Sequence, residues 1–239
     1  MDKGYWSLDT ETTGIDPKAG HKVIEIGAVK IIDGKPNGET FHVYIDPQRE
    51  VPLEAVAVHN LTREDVIELG GGRIFESIAQ DILHIFKDQV LVAHNAGFDM
   101  GFLDHELEEL GLPTLSSVCE KVICSLQYAR TVYPSGRNTL DALAKKYGVD
   151  TSGRDYHGAL LDAEILGSVF TAMTTAQKHI SLGAVIKSMQ SKRYEFTLSD
   201  VIKPIDRIVA NNSKVMLIDN EVNIEHKKYL SGIDDGLSW

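Results

Sequence analysis

Apolar and polar positions alternate most clearly near the start of the chain. YWSLD, residues 5–9, carries an apolar run into Asp9 and Glu11 and then into a Thr12-Thr13-Gly14 turn, and reads as a strand ending on carboxylates. VIEIGAVKIIDG, residues 23–34, predicts a second strand closing on an Asp-Gly turn. ETFHVYIDP, residues 39–47, predicts its neighbour, closed by Pro47, so three consecutive strands form an antiparallel meander. The period then lengthens. Phe75, Ile78, Ile82, Ile85 and Phe86 recur at helical spacing over 75–88. QVLVAHN, 89–95, predicts a short buried strand, and 98–111 a helix stopped by Gly111. A helix over 139–148 has Thr139 as N-cap and Gly148 as stop, and 157–176 predicts the longest helix.

Three strands followed by helix, strand, helix and more helices predict an α/β fold with a mixed sheet flanked by helices. Gly70, Gly71 and Gly72 read as a loop and not a phosphate cradle, because no GxGxxG or GK[ST] follows. From about residue 177 the periodicity weakens, and 177–200 reads as a linker. A pattern returns over 201–239, with Pro204 opening a short helix, 214–219 strand-like and 221–230 helix-like. A tail of this size cannot bury a core of its own, so its apolar residues need cover from another protein. The chain divides into a body at 1–176, a linker at 177–200 and a docking segment at 201–239.

Composition changes this picture in three ways. No apolar run reaches the roughly 20 residues of a membrane span, and the first residues lack the pattern of a secretory signal. Two cysteines, Cys119 and Cys124, have no second pair for a zinc site and fit a reducing, cytoplasmic setting. The net charge of -11 is uneven: residues 1–176 hold 15 basic against 27 acidic residues, whereas 177–239 hold 9 against 8. An acidic body does not grip nucleic acid tightly by itself, so cations or a partner must offset the repulsion.

The candidate chemistry is acidic. Side chains two apart on a strand share a face, so Asp9 and Glu11 point the same way and repel unless a cation intervenes. Asp99 follows another strand, beside Asn95 and Phe98, and Asp162 lies in the longest helix with His157 five residues before it. Four carboxylates at the ends of core elements suit two hard divalent ions, which clamp the attacking and leaving oxygens of a phosphoryl displacement. Glu164 and Asp155 flank this motif and could be mistaken for ligands; two helical positions beyond Asp162, Glu164 is rotated about 200° away and reads as solvated. His94 reads as a core histidine and not a ligand.

Asp9-Thr-Glu11, His94-Asn-x-x-Phe-Asp99 and His157-x4-Asp162 resemble the three motifs of the DEDDh 3′–5′ exonuclease family, with its ribonuclease-H-like fold. LDTETTG, HGALLDAEILGSVFTAMT and IDRIVANNSKV are similar to the proofreading members that serve bacterial replicative polymerases. The resemblance implies that Asp9, Glu11, Asp99 and Asp162 hold two divalent ions, Mg2+ or Mn2+, with His157 as general base. It implies that backbone amides around Thr12 and Thr13 meet the 3′-terminal nucleotide of a single-stranded or frayed DNA end. His59, Leu61, Asn95 and Phe98 are further candidates for contacting it. Asn60 stands where the family has Gly, a position an asparagine can fill because it visits positive φ. The implied partners are the polymerase catalytic (alpha) subunit through 201–239, the sliding clamp through 179–185 and a small theta-like accessory subunit. An RNA-trimming DEDDh nuclease and a non-catalytic polymerase-assembly subunit are the alternative functions.

Overall fold

In the computed structural model, residues 4–153 and 156–191 are described, with side chains through residue 176. The expected docking segment at 201–239, Asp155, and the side chains of the expected clamp peptide at 179–185 lie outside the described residues.

VIEIGAVKII forms β2 (Val23–Ile32), nine of whose ten residues are buried. Its apolar residues occupy both faces because helices cover the sheet on both sides. β2 pairs antiparallel with β1 (Tyr5–Thr12) and with β3 (Lys35–Tyr44), giving the expected meander. β1 pairs on its other side with β4 (Val90–Ala93), which is parallel to it, and β4 with β5 (Lys121–Cys124), also parallel. The sheet order is β3-β2-β1-β4-β5, the mixed sheet expected from the sequence.

On one face, Trp6 and Leu8 of β1 pack with α3 (Phe75–Phe86) and α4 (Ala96–Glu109) around Ile82, Phe86, Phe102 and Leu103. On the other lies α8 (Ala159–Ser191), with Tyr5 edge-on to Phe170. Alternation along β1 therefore directs even-numbered side chains toward α4 and odd-numbered ones toward α8. The helix expected to end at 176 continues to Ser191, so residue 177 marks a change of composition and not a helix end. The stretch Ala159–Ala176 is long and apolar enough to cross a membrane, yet half of it is buried against the sheet and the neighbouring α7 (Leu140–Tyr147).

Several short elements escape the hydrophobic pattern: α1 (Leu53–His59), α2 (Arg63–Gly70), α5 (Leu115–Val118) and α6 (Ser125–Val132). α2 opens on a capping box between Thr62 and Asp65, and the Gly70–Gly72 run supplies its last residue and its left-handed cap at Gly71. Thr139 and Gly148 cap α7 as expected. Cys119 and Cys124 are both reduced thiols, and burial pushes Cys119 up to about 11.

One glycine decides how close α8 comes to the sheet. Gly27 of β2 faces the first turn of α8, where an added Cβ would lie 2.2 Å from the backbone of Ala159 and Leu160. Backbone on both sides cannot yield cheaply. Gly27→Ala is expected to destabilise the protein by about 1–3 kcal/mol and to lower activity by lifting α8 off the sheet. Urea denaturation of wild type and variant, with matched assays, checks both.

Candidate active site

The five candidate side chains reach the site from four segments of the chain. Asp9 and Glu11 are the last odd-numbered acidic residues of β1 and face α8. They sit opposite Gly27 and Glu25 of β2, and the register slips between Glu11 and Thr12, a bulge that re-aims the strand end. Asp99 lies in the first turn of α4, immediately after β4. Asp162 lies in the first turn of α8, and His157 stands in the loop just before that helix. All converge beyond the carboxyl ends of the two parallel strands β1 and β4, where open α/β sheets place their ligands.

These five residues line one cleft of about 510 Å³, together with Thr12, Thr13, His59, Asn95 and Phe98. Single ligand atoms of Glu11, His157 and Asp162 lie within 4.8 Å of one another. The lining holds five carboxylates, Glu54 included, and no lysine or arginine. Burial pushes Asp99 up to about 7, even though Thr10 donates a hydrogen bond to its Oδ1 at 2.9 Å. Hard oxygen donors crowded together without a positive side chain fit divalent cations, and Asp9, Glu11, Asp99 and Asp162 can hold them.

His157 contacts Asp162 through Nδ1···Oδ2 at 3.0 Å, and its backbone N–H donates to Val58 at 3.3 Å. The second bond ties the His157 loop to the end of α1. His59, the last residue of that helix, is buried, and burial lowers it to about 4, so it is neutral. Leu61 N–H donates to His59 Nδ1 at 3.1 Å, which leaves the ring proton on Nε2. Leu61 itself does not line the cleft; its amide fixes the His59 tautomer. Asn60 caps α1 at φ 56°, so the Asn in place of Gly accepts the left-handed backbone as expected.

The Thr13 amide is not available to a nucleotide. It donates to the Lys22 carbonyl at 2.8 Å, while the Thr13 hydroxyl accepts from Lys22 N–H at 2.9 Å. Thr13 therefore closes the β1–β2 connection, and Thr12 Oγ1 bonds the Gly14 carbonyl at 2.5 Å. Asn95 caps α4 with φ 66°, and its buried Oδ1 has no hydrogen-bond partner among the described residues. Phe98 is half-buried between the cleft and Phe102. His94 lines the cleft wall but is neutral, lowered to about 4 by burial, and bonds Ser125 Oγ at 2.9 Å. Glu164 is exposed, as its helical rotation requires.

Two supporting residues were not among the candidates. Thr10 holds Asp99, and the same alternation that aligns Asp9 with Glu11 turns Thr10 to the opposite face. Glu25 is a buried carboxylate beside Glu11, held by His42 Nε2 at 2.7 Å. A charged residue inside the apolar VIEIGAV run was its visible signal.

The family model described as Exonuclease, RNase_T, matches residues 7–170. The chain belongs to this exonuclease family. Use of divalent metal is a property of that family, and the donor set above fits it. A protein named DNA polymerase III subunit epsilon from Rickettsia typhi is 44% identical over 168 residues, covering 70% of this chain and 72% of the relative. The protein of the same name from Salmonella typhimurium is 37% identical over 230 residues, covering 92% and 93%. Among solved structures, Exonuclease X in complex with 5′ overhanging duplex DNA aligns at TM-score 0.57 with 26% identity, over 72% of this chain and 92% of that one.

The raised Asp99 yields a pH prediction. The carboxyl keeps its proton to about pH 7 when folded but loses it near 3.8 when unfolded, so its contribution to stability is lost as pH rises between those values. A divalent ion must displace that proton. Mg2+ affinity is expected to increase from pH 6 to pH 8, with proton release greater at pH 6, both read by calorimetric titration.

Proposed function

We propose that the chain is the 3′–5′ proofreading exonuclease of a bacterial DNA polymerase III complex, removing mispaired 3′-terminal nucleotides as 5′-monophosphates. The observation that carries this reading is the cleft lined by five carboxylates and, among the described residues, by no lysine or arginine. A phosphodiester cannot approach such a surface without intervening cations. Relatives named DNA polymerase III subunit epsilon that match 70–92% of the chain support DNA as the substrate.

Asp9, Glu11, Asp99 and Asp162 would hold two divalent ions, Mg2+ or Mn2+. When bound, such ions neutralise the carboxylates and stabilise charge on the attacking and leaving oxygens. His157 is the general base: its Nδ1 partner Asp162 orients the imidazole, and Nε2 takes the proton from the attacking water. Thr10 holds Asp99 in place through its hydroxyl. The side chains of Asn95, His59 and Phe98, which line the cleft, flank the terminal nucleotide. Selection of mispaired ends follows from the lower cost of unpairing them, which delivers them more often as single strand.

The acidic body then depends on delivery. The likeness to the Salmonella relative covers 92% of the chain and therefore continues beyond the body into the tail. Residues 201–239 dock on the polymerase catalytic subunit and 177–200 tether the body, raising its local concentration at the primer end. The 179–185 stretch meets the sliding clamp, and a theta-like subunit covers part of the body.

Asp9→Ala is expected to reduce Mg2+-dependent release of 5′-monophosphates to background without unfolding the protein. His157→Ala is expected to slow turnover by about 10²–10⁴-fold while metal binding persists. Chelator should abolish wild-type activity. A labelled primer, mispaired or paired, beside a matched RNA, reads all of these; equal hydrolysis of RNA would favour the RNA-trimming reading.

A further inference from the structure

Charge is distributed within the body in a way that its overall acidity conceals. Residues 1–124 hold ten basic against 22 acidic side chains, whereas 125–149 hold four basic residues, Arg130, Arg137, Lys145 and Lys146, against one acidic residue, Asp141. That segment is α6, the loop after it and α7. Arg137, Lys145 and Lys146 are exposed. Aromatic rings lie among them: Lys146 Nζ sits 3.3 Å from the centre of the Tyr133 ring, whose hydroxyl bonds that of Tyr147 at 2.6 Å.

The segment is fastened to the active site through His94. His94 Nδ1 hydrogen-bonds Ser125 Oγ, the first residue of α6, at 2.9 Å, and the backbone of Asn138 interacts with the same ring. Asn138 in turn donates through Nδ2 to the carbonyls of Tyr133 at 3.0 Å and Gly136 at 3.1 Å, fixing the loop that carries Arg137. His94 lines the cleft, so one imidazole joins the cleft wall to the start of α6 and to the loop before α7. This explains a histidine there that is neither ligand nor base.

We propose that the α6–α7 segment is the strand path of the substrate: Arg137, Lys145 and Lys146 contact backbone phosphates of single-stranded DNA upstream of the scissile bond. The proposal rests on the exonuclease reading above. Positive side chains that follow the backbone, with aromatic rings between them, suit a strand of any sequence. Proofreading needs that indifference, because the mispaired end has no fixed sequence. His94 and Asn138 act as positioning residues that hold the path in register with the cleft.

The test compares Arg137→Ala/Lys145→Gln/Lys146→Gln with wild type on a single-stranded DNA 12-mer and on p-nitrophenyl thymidine 5′-phosphate, a small diester that cannot reach the path. KM for the 12-mer is expected to rise about tenfold or more with kcat unchanged, and hydrolysis of the small diester to stay at the wild-type rate. The slope of log KM against log salt should fall by about 2, since each strand phosphate contact contributes about 0.7. Arg137→Lys/Lys145→Arg/Lys146→Arg should behave as wild type. Unchanged 12-mer kinetics and salt slope would overturn the proposal, as would equal loss on both substrates, which reports a structural defect. Loss of binding to the polymerase subunit with normal 12-mer kinetics would also overturn it and identify a protein-docking surface. Wild type inactive on both substrates with Mg2+ would instead defeat the exonuclease reading itself.

Discussion

Negative charge gathered in one cleft without a protein cation is the constraint to which the rest of the molecule answers. Carboxylate oxygens of Glu11 and Asp162 lie within 4.8 Å of each other. At an effective dielectric of about 20, two unit charges at that separation repel by about 3.5 kcal/mol. A domain's whole stability is of order 5–15 kcal/mol. Crowding of this kind costs stability, and burial adds to it at Asp99, whose carboxyl is pushed up to about 7.

Holding such a site open requires rigid elements on every side. β1 is the inner strand that supplies two carboxylates, and its neighbours β2 and β4 lock it by pairing in opposite senses. α8 brings Asp162 down onto β2 only because Gly27 offers no side chain in its path. α4 brings Asp99 from the opposite face, and Thr10 reaches across to it. The His157 loop is tied to α1 through Val58, which couples it to the cleft wall formed by His59. Each of these contacts constrains position more than it adds energy, which is what a metal site needs, since ligand geometry decides whether ions bind.

Much of this was legible in the sequence because the site sits where long periodic elements end. β1, β2, α3, α4 and the start of α8 each have enough residues for alternation or helical spacing to declare itself, and the carboxylates punctuate their ends. α1 and β5, of seven and four residues, are too short for a period to show. The continuation of α8 to Ser191 was hidden because the apolar stripe weakens before the backbone stops being helical. The Thr13 amide was misjudged for a different reason. Its partner, the Lys22 carbonyl, lies nine residues away across the β1–β2 connection, and spacing along the chain does not indicate which amides a turn consumes. Thr10 and Glu25 were visible as anomalies, a hydroxyl between two ligands and a charge inside an apolar strand. Their roles needed the register.

The separation of charge within the body follows from the same constraint. Cations at the carboxylates can neutralise the reacting phosphate's surroundings but do nothing for the phosphates that trail behind it. Those lie beyond the cleft, opposite a body that is acidic almost everywhere else. Basic side chains spread over the whole surface would bind duplex and strand alike and slow release after each cut. Confining four of them to α6, α7 and the loop between, and anchoring that segment to the cleft wall through one neutral histidine, would give the proposed path its grip along a single line while the remaining surface repels. On the proposed path an end would be held only when it already lies there as a strand, so discrimination between frayed and paired ends would begin with the shape of the protein's own field.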